Sequence, residues 1–498
     1  MRIDQDLLAI QEVRDLVEKA AAAQAAMKEF DQEKVDRITA SMAEAGEEAS
    51  EWLAKRAVEE TGLGVWQDKV VKNLLATRVV HEFIKGLKTV GVTYRHEDKK
   101  VVEIAEPVGV IAGLIPTTNP TSTAMYKCLI ALKARNAMVL SPHPRAKECT
   151  VAAAEVMSRA AIKAGAPEGV IGCLRSPTLE ATQELMRHRL VALVLATGGS
   201  DMVRAAYSSG KPAFGVGPGN VPVYIERTAD VPRAVDHIVV SKTFDNGTIC
   251  ASEQAIITDE CIRAAVEEEL RKQGAYFMSP GEIEAVSALV VTHGGAINPR
   301  VIGQPAAKVA RMAGIHVPEG TRLLVAELQG VGKEYPLSRE KLSPVIAFYS
   351  VPDWHKACEI CIQMLNFGGM GHTMAIHTRN DDIVMEFAIK KPAFRILVNT
   401  PASHGAVGAT TGLDPALTLG CGTWGGSATA DNIGPLHLLN IKRVAYGLRE
   451  PEGYRPAGCP PCEAQAAGVQ VAGAQAGVRA ADIERIVRQV VERLCVKS

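Results

Sequence analysis

The segment Phe244-Asp245-Asn246-Gly247-Thr248-Ile249-Cys250-Ala251-Ser252 sets a cysteine in a polar, glycine-containing stretch between a helical and a strand-like pattern. Backbone N–H groups in such a turn lower a thiol's pKa, and the thiolate is the reactive form. The plainer role for a free cysteine is that of a small buried residue. Ile115-Pro116-Thr117-Thr118-Asn119-Pro120 ends an apolar run and opens a helix. An Asn side chain there can donate to an oxyanion, or it can simply make a turn, since Asn-Pro is a turn signal. Between these two lies a glycine-rich crossing, residues 211–222, with Gly215-Val216-Gly217-Pro218-Gly219-Asn220 at its centre. It lacks GxGxxG spacing and fails as a dinucleotide fingerprint; a tight turn between two domains is the alternative. His372, in Phe367-Gly368-Gly369-Met370-Gly371-His372-Thr373, suits a general base of near-neutral pKa, or a hydrogen-bonded loop histidine.

These groups need a frame to hold them. Residues 108–115 form a short apolar run stopped by Pro116, which predicts a buried parallel strand. A helix over 125–133, a strand over 137–140, a helix over 147–164 and a strand over 191–195 follow, the last ending at Thr197-Gly198-Gly199. Such alternation predicts a doubly wound α/β sheet, the usual frame for a nucleotide site. Residues 3–60 read as helices with solvated faces. A second α/β set runs from near Pro222 to about residue 430, with strands over 255–258, 345–349 and 396–399. Residues 451–478 shift to Pro, Gly, Ala and Gln, a flexible linker. Beyond it Ile483, Ile486, Val487, Val490, Val491 and Leu494 make one apolar helical stripe.

Bulk properties narrow the function. Lys plus Arg (55) against Asp plus Glu (56) leave a net charge of −1, no footprint for nucleic acid or an anionic membrane. Small-molecule chemistry is the expectation. The 11 cysteines are scattered, which speaks for a reducing cytosol rather than a disulfide framework. No secretory signal or membrane span is predicted. No metal is expected: Cys459 and Cys462 supply two ligands where zinc wants four, and Cys358, Cys361 and Cys421 are expected to pack.

Four landmarks, in one order along the chain, together resemble the aldehyde dehydrogenase superfamily over about residues 1–450. They are Asn119 in its Thr-Thr-Asn-Pro turn, the 211–222 crossing, Cys250, and Glu340 in Glu340-Lys341-Leu342-Ser343-Pro344-Val345. More narrowly the chain resembles the CoA-acylating branch, the acetaldehyde and propionaldehyde dehydrogenases. The resemblance implies two doubly wound Rossmann-type domains: 1–221 for the cofactor and 222–431 for catalysis, with 432–450 a return segment making oligomer contacts. It implies Cys250 as the nucleophile, and Asn119 with the Cys250 backbone N–H as the oxyanion hole. Glu340 would hold the nicotinamide ribose, and Thr197-Gly198-Gly199-Ser200 would sit beside the cofactor phosphates. Ser141-Pro142 stand where hydrolytic relatives carry a lysine for the adenosine ribose, so NAD is expected and NADP stays open.

The informative departure is Val216, which lines up with the glutamate that activates water in hydrolytic relatives; no acidic residue occurs from Lys211 to Tyr224. A thioester without a general base waits for a better nucleophile. Coenzyme A is therefore the expected co-substrate, with His372 taking its thiol proton. The expected reaction converts a short aldehyde, propionaldehyde before acetaldehyde, to acyl-CoA. The alternatives are a hydrolytic dehydrogenase giving a carboxylate, and an assembly protein acting through its tail. Residues 479–498 resemble the encapsulation peptides that bind microcompartment shell proteins, which implies a lumenal location; the family implies a homo-oligomer, dimer or tetramer.

Overall fold

The computed structural model describes residues 4–292 and 294–449; the expected linker 451–478 and helix 479–498 lie outside them. Two compact units divide the chain, Met1–Ala445 and Tyr446–Ser498, and every element below belongs to the first. Three N-terminal helices, Gln5–Met27, Gln32–Glu48 and Ser50–Thr61, are followed by Trp66–Leu74 and a π-helical turn, Leu75–Val79. Asp4 and Asp31 cap the first two, each side chain accepting from a backbone N–H of the first turn.

Strands β1 (Gly91–His96) and β2 (Val101–Pro107) precede the first parallel sheet. That sheet holds β3 (Val110–Ile115), β4 (Ala137–Pro142), β5 (Ile171–Cys173), β6 (Val191–Thr197) and β7 (Ala213–Val216), in the order β5-β4-β3-β6-β7. All residues of β3 and β4 are buried, as continuous apolar runs covered on both faces should be. The second sheet holds β8 (Val221–Ile225), β9 (Glu253–Asp259), β10 (Ala275–Phe277), β11 (Leu323–Glu327), β12 (Val345–Val351), β13 (Gly371–His377) and β14 (Ala393–Val398). Its order is β10-β11-β12-β9-β8-β13-β14, again parallel throughout. The expected α/β architecture, two doubly wound Rossmann-type sheets, is thus the observed one.

Two features were not foreseen. β15 (Leu439–Ala445) pairs antiparallel with β2, so the return segment joins residues 91–107 in a separate three-stranded sheet. And residues 415–438, assigned largely to the second domain, run back over the first: Thr418 meets Thr197, Ser427 donates to the Gly215 carbonyl, and Tyr126 donates to that of Ile433.

The helix Pro120–Lys133 is buried along its whole length, with Pro120 at its first turn and Asn119 at its N-cap. Its buried Lys127 is satisfied by the Leu114 and Leu195 carbonyls at 2.7 and 2.8 Å, tying β3 to β6. Among the described residues no helix is long and apolar enough to cross a membrane, and no group of three His, Cys, Asp or Glu is placed to hold a metal ion.

Candidate active site

In the first sheet the strand order reverses between β3 and β6. Ligands of open α/β sheets bind at the carboxyl ends beside such a reversal. Asn119 follows β3, and Thr197-Gly198-Gly199-Ser200 follows β6 to start the helix Ser200–Tyr207. Gly199 and Ser200 are exposed, and a Cβ at Gly199 would meet nothing. An open strand–turn–helix of this kind accepts a pyrophosphate on its backbone N–H groups, so these residues fit the phosphates of a dinucleotide. Ser141 and Pro142 end the neighbouring β4 and are buried. The Ser141 hydroxyl pairs with that of Thr182 at 2.8 Å, so it faces inward rather than offering itself to a ribose.

Cys250 sits in the turn that leads into β9, a free and partly exposed thiol. The turn is fastened from below. Asp245, Asn246 and Gly247 are three consecutive left-handed residues, with φ of 49°, 51° and 75°. Asp and Asn tolerate this region better than other side chains, yet non-glycine residues there carry strain that the surroundings must hold. The holding groups are plain. The Asp245 carboxylate accepts from Val65 N–H at 2.7 Å, Lys69 Nζ at 2.9 Å, Lys72 Nζ at 2.5 Å and Thr248 Oγ1 at 2.6 Å. Its own N–H donates to Asp68 at 2.7 Å, and Asn246 donates to the Gly303 carbonyl at 3.0 Å. Burial alone would raise the Asp245 carboxyl, but the two ammonium groups hold it below the usual carboxylate range.

Asn119 reaches this turn across the interface of the two sheets, its Nδ2 donating to the Thr248 carbonyl at 3.1 Å and its Oδ1 accepting from Lys72 at 2.7 Å. The structure therefore brings the predicted donor to within two residues of the predicted nucleophile. Lys69 and Lys72, buried on the helix Trp66–Leu74, were missed in the sequence. Their one signal was a lysine pair at i, i+3 on a short helix, a pattern far commoner on solvated faces.

Gly219 in the crossing comes between Cys250 and His372. A Cβ there would lie 2.1 Å from the Cys250 carbonyl oxygen and 3.3 Å from the His372 ring, so only glycine fits this close approach. Its N–H donates to Glu340 Oε1 at 3.2 Å. Burial lifts the Glu340 carboxyl to about 7. Burial and the Glu340 charge push the Cys250 thiol up to about 12, against the pull of Arg395 and the cysteine's own backbone N–H. At neutral pH Cys250 is therefore a thiol, not the thiolate that the loop alone suggested.

His372 corrects a second expectation. It lies on β13, fully buried, rather than in a loop. Burial, with Arg395 beside it, drops its pKa to about 3, far from the near-neutral value expected. Nδ1 pairs with Thr373 Oγ1 at 2.9 Å, while Nε2 has no partner. Val216 ends β7 opposite Thr197 and is buried.

Residues 7–283 match the model of the aldehyde dehydrogenase family. An acetylating aldehyde dehydrogenase from Geobacillus thermoglucosidasius, known from its crystal structure, is 51% identical with a TM-score of 0.89, covering 90% of this chain and 99% of its own. The bifunctional aldehyde-alcohol dehydrogenase of Escherichia coli is 46% identical over 441 residues, 88% of this chain and 49% of that protein. The chain thus spans about half the length of such curated relatives. The propionaldehyde dehydrogenase of Rhodopseudomonas palustris, solved with bound CoA and an acylated cysteine, is 27% identical with a TM-score of 0.79, covering 87% of this chain and 97% of its own.

Proposed function

Because the chain belongs to the aldehyde dehydrogenase family, we propose that it oxidises a short aldehyde to an acyl-CoA through a thioester on Cys250. NAD, when bound, supplies the hydride acceptor. One observation carries the acyl-CoA outcome: Asn119 reaches the Cys250 turn at the Thr248 carbonyl, while the crossing beside that turn, residues 211–224, holds no carboxylate to activate water. The acylated cysteine and bound CoA of the R. palustris relative support the same reading.

The chain's own groups divide the work. Cys250 Sγ bonds to the aldehyde carbon as its proton leaves. The Glu340 charge opposes ionisation of that thiol, so the proton leaves to solvent past the partly exposed Cys250, and Glu340 serves to hold the nicotinamide ribose. Asn119 Nδ2 and the Cys250 backbone N–H hold the oxyanion, the carbonyl re-forms as hydride departs, and the acyl group stays on sulfur. The CoA thiol then attacks the thioester carbon, Cys250 leaves, and the CoA proton passes to the departing Cys250 sulfur, which restores the resting thiol. His372 is neutral with an unpartnered Nε2. It can accept a hydrogen bond from the incoming thiol, but burial makes it a poor final holder of the proton. The open glycine turn after β6 takes the dinucleotide phosphates, and with no lysine at Ser141 both NAD and NADP are admissible.

Propionaldehyde is the preferred substrate of this reading over acetaldehyde, although one methylene discriminates by only about 1–3 kcal/mol. The apolar stripe Ile483, Ile486, Val487, Val490, Val491, Leu494 supports docking of residues 479–498 on a microcompartment shell protein, with the enzyme a homo-oligomer in the lumen. Deleting them is expected to leave NADH production unchanged and to end co-purification with shells; a loss of activity instead would remove this part of the proposal. The test of the reaction is NADH production from propionaldehyde with and without CoA, in the natural chain and in Cys250→Ala. Sustained turnover only with CoA, and none in the variant, is expected. Full turnover without CoA would make the enzyme hydrolytic, and an active variant would dismiss the thioester.

A further inference from the structure

Beyond a long contact to Thr248 Oγ1 at 3.4 Å, the three N–H donors of the buried Lys72 ammonium have three close acceptors: Asp245 Oδ2 at 2.5 Å, Asn119 Oδ1 at 2.7 Å and the Thr248 carbonyl at 3.0 Å. The first anchors it, and the other two belong to the elements that must meet at the nucleophile. Lysine can donate but never accept. The Asn119 atom facing it is therefore the carbonyl oxygen, and the amide nitrogen is turned away from it, to the Thr248 carbonyl of the Cys250 turn and to Thr118. There Nδ2 spends one N–H on the Thr248 carbonyl at 3.1 Å. The other goes to Thr118 Oγ1 at 3.3 Å, a longer bond to a hydroxyl that rotates freely.

We infer that Lys72 is a positioning residue for the oxyanion donor: it fixes which face of the Asn119 carboxamide meets Cys250 and holds the Thr248 carbonyl in the same grip. The N–H now on Thr118 is the one that turns to the oxyanion. A positive charge on Oδ1 draws electron density from the amide and strengthens that N–H as a donor, since hydrogen bonds to charged groups are the stronger ones and polarise along a chain. Without the ammonium, Oδ1 loses its charged partner, and the carboxamide is held only through its Nδ2 bonds to the Thr248 carbonyl and Thr118 Oγ1. Lys69 serves a different end. It donates to Asp245 and to the Thr118 carbonyl at 2.8 Å, but has no contact with the Asn119 side chain. The charged groups acting on Lys72 are Asp68 and Lys69 from its own helix and Asp245 from the nucleophile turn; His404, on the short helix Ala402–Ala406, feels its charge in turn. Burial, set against Asp245, leaves the Lys72 pKa at about 8, so the ammonium is present at neutral pH.

This inference rests on the oxyanion role proposed for Asn119, and a double-mutant cycle on the full chain separates the two. NADH production from propionaldehyde at saturating NAD and CoA is measured for Asn119→Ala, Lys72→Met and the pair. Lys72→Met is expected to lower kcat by about 10- to 100-fold, less than the roughly 10²–10³-fold cost of losing an oxyanion donor outright, with KM for CoA within about twofold. On the Asn119→Ala background it should cost nothing more, because residues acting as one unit are not additive. If the two losses multiply, Lys72 does not act through Asn119 and the inference is overturned. If Asn119→Ala alone leaves kcat within about twofold, the oxyanion reading falls and takes the inference with it. Should Lys72→Met melt below the assay temperature, the cycle is run on Lys72→Gln, which keeps a polar head and removes the ammonium, and the same criteria apply.

Discussion

The two parallel sheets serve the site from opposite ends. The first works from its carboxyl ends, where Asn119 follows β3 and Thr197–Ser200 follow β6. The second works from its amino ends: Gly219 precedes β8, Cys250 precedes β9, Glu340 precedes β12 and His372 is the second residue of β13. The turns differ in kind as well as in place. The β6 turn is open, with Gly199 and Ser200 exposed, and it leads into a helix whose first N–H groups lack partners, the arrangement that suits a ligand. The turn before β9 is closed, with Thr248, Ala251 and Ser252 buried and a strained left-handed stretch pinned by Lys69 and Lys72. Binding is placed where backbone is free, and bond-making where it is over-determined.

Gly219→Ala attacks the closed end directly. Its methyl group would need the space 2.1 Å from the Cys250 carbonyl oxygen, and backbone must shift to admit it. We expect kcat to fall by about 10²-fold, the usual scale for a misplacement near 1 Å, with the KM for NAD little changed. A fall in NAD affinity with intact kcat would mean that the amino ends also bind. A smaller effect is expected of Glu340→Gln. The Glu340 charge opposes ionisation of Cys250, so removing it lowers the thiol's pKa. Iodoacetamide should then alkylate Cys250 several-fold faster at pH 8, above the Glu340 value of about 7, where the natural carboxylate is mostly charged. An unchanged rate would detach Glu340 from the nucleophile. The smallest effect belongs to Ser141→Ala on the first sheet. Its hydroxyl is committed to Thr182, so the variant should lose about 0.5–1.5 kcal/mol of stability and keep its KM for NAD within about twofold. A large rise in that KM would return Ser141 to the ribose.

Sequence alone carried the frame well where one element is self-contained. The run Val110–Ile115 is wholly buried, and its apolar continuity is visible without knowing what covers it. The resemblance singled out Cys250, Asn119 and Glu340 through their order and separation, and the fold brings Asn119 to the Cys250 turn and Glu340 to Gly219 beside it. What escaped was settled by contact between distant segments. Asp245 and Lys72 are 173 residues apart, and nothing in Phe-Asp-Asn-Gly announces a buried carboxylate with two lysine partners. His372 misled because a run of glycines reads as loop, while the chain enters β13 at Gly371 and burial removes the basicity of the ring. The partner of Ser141 was equally hidden, because the Thr182 hydroxyl it pairs with lies on the helix Leu179–Arg187, 41 residues further along.

The small sheet formed by β1, β2 and β15 sets a timetable for the newborn chain. Lys442 on β15 and Glu106 on β2 are 336 residues apart, and Tyr126 waits 307 residues for the Ile433 carbonyl. At a synthesis rate of about 5–20 residues per second, the later strand reaches its partner on the order of 20–70 s after the earlier one has emerged. For that interval the helix Pro120–Lys133, buried along its whole length in the finished molecule, lacks the segment around Ile433 that helps to cover it.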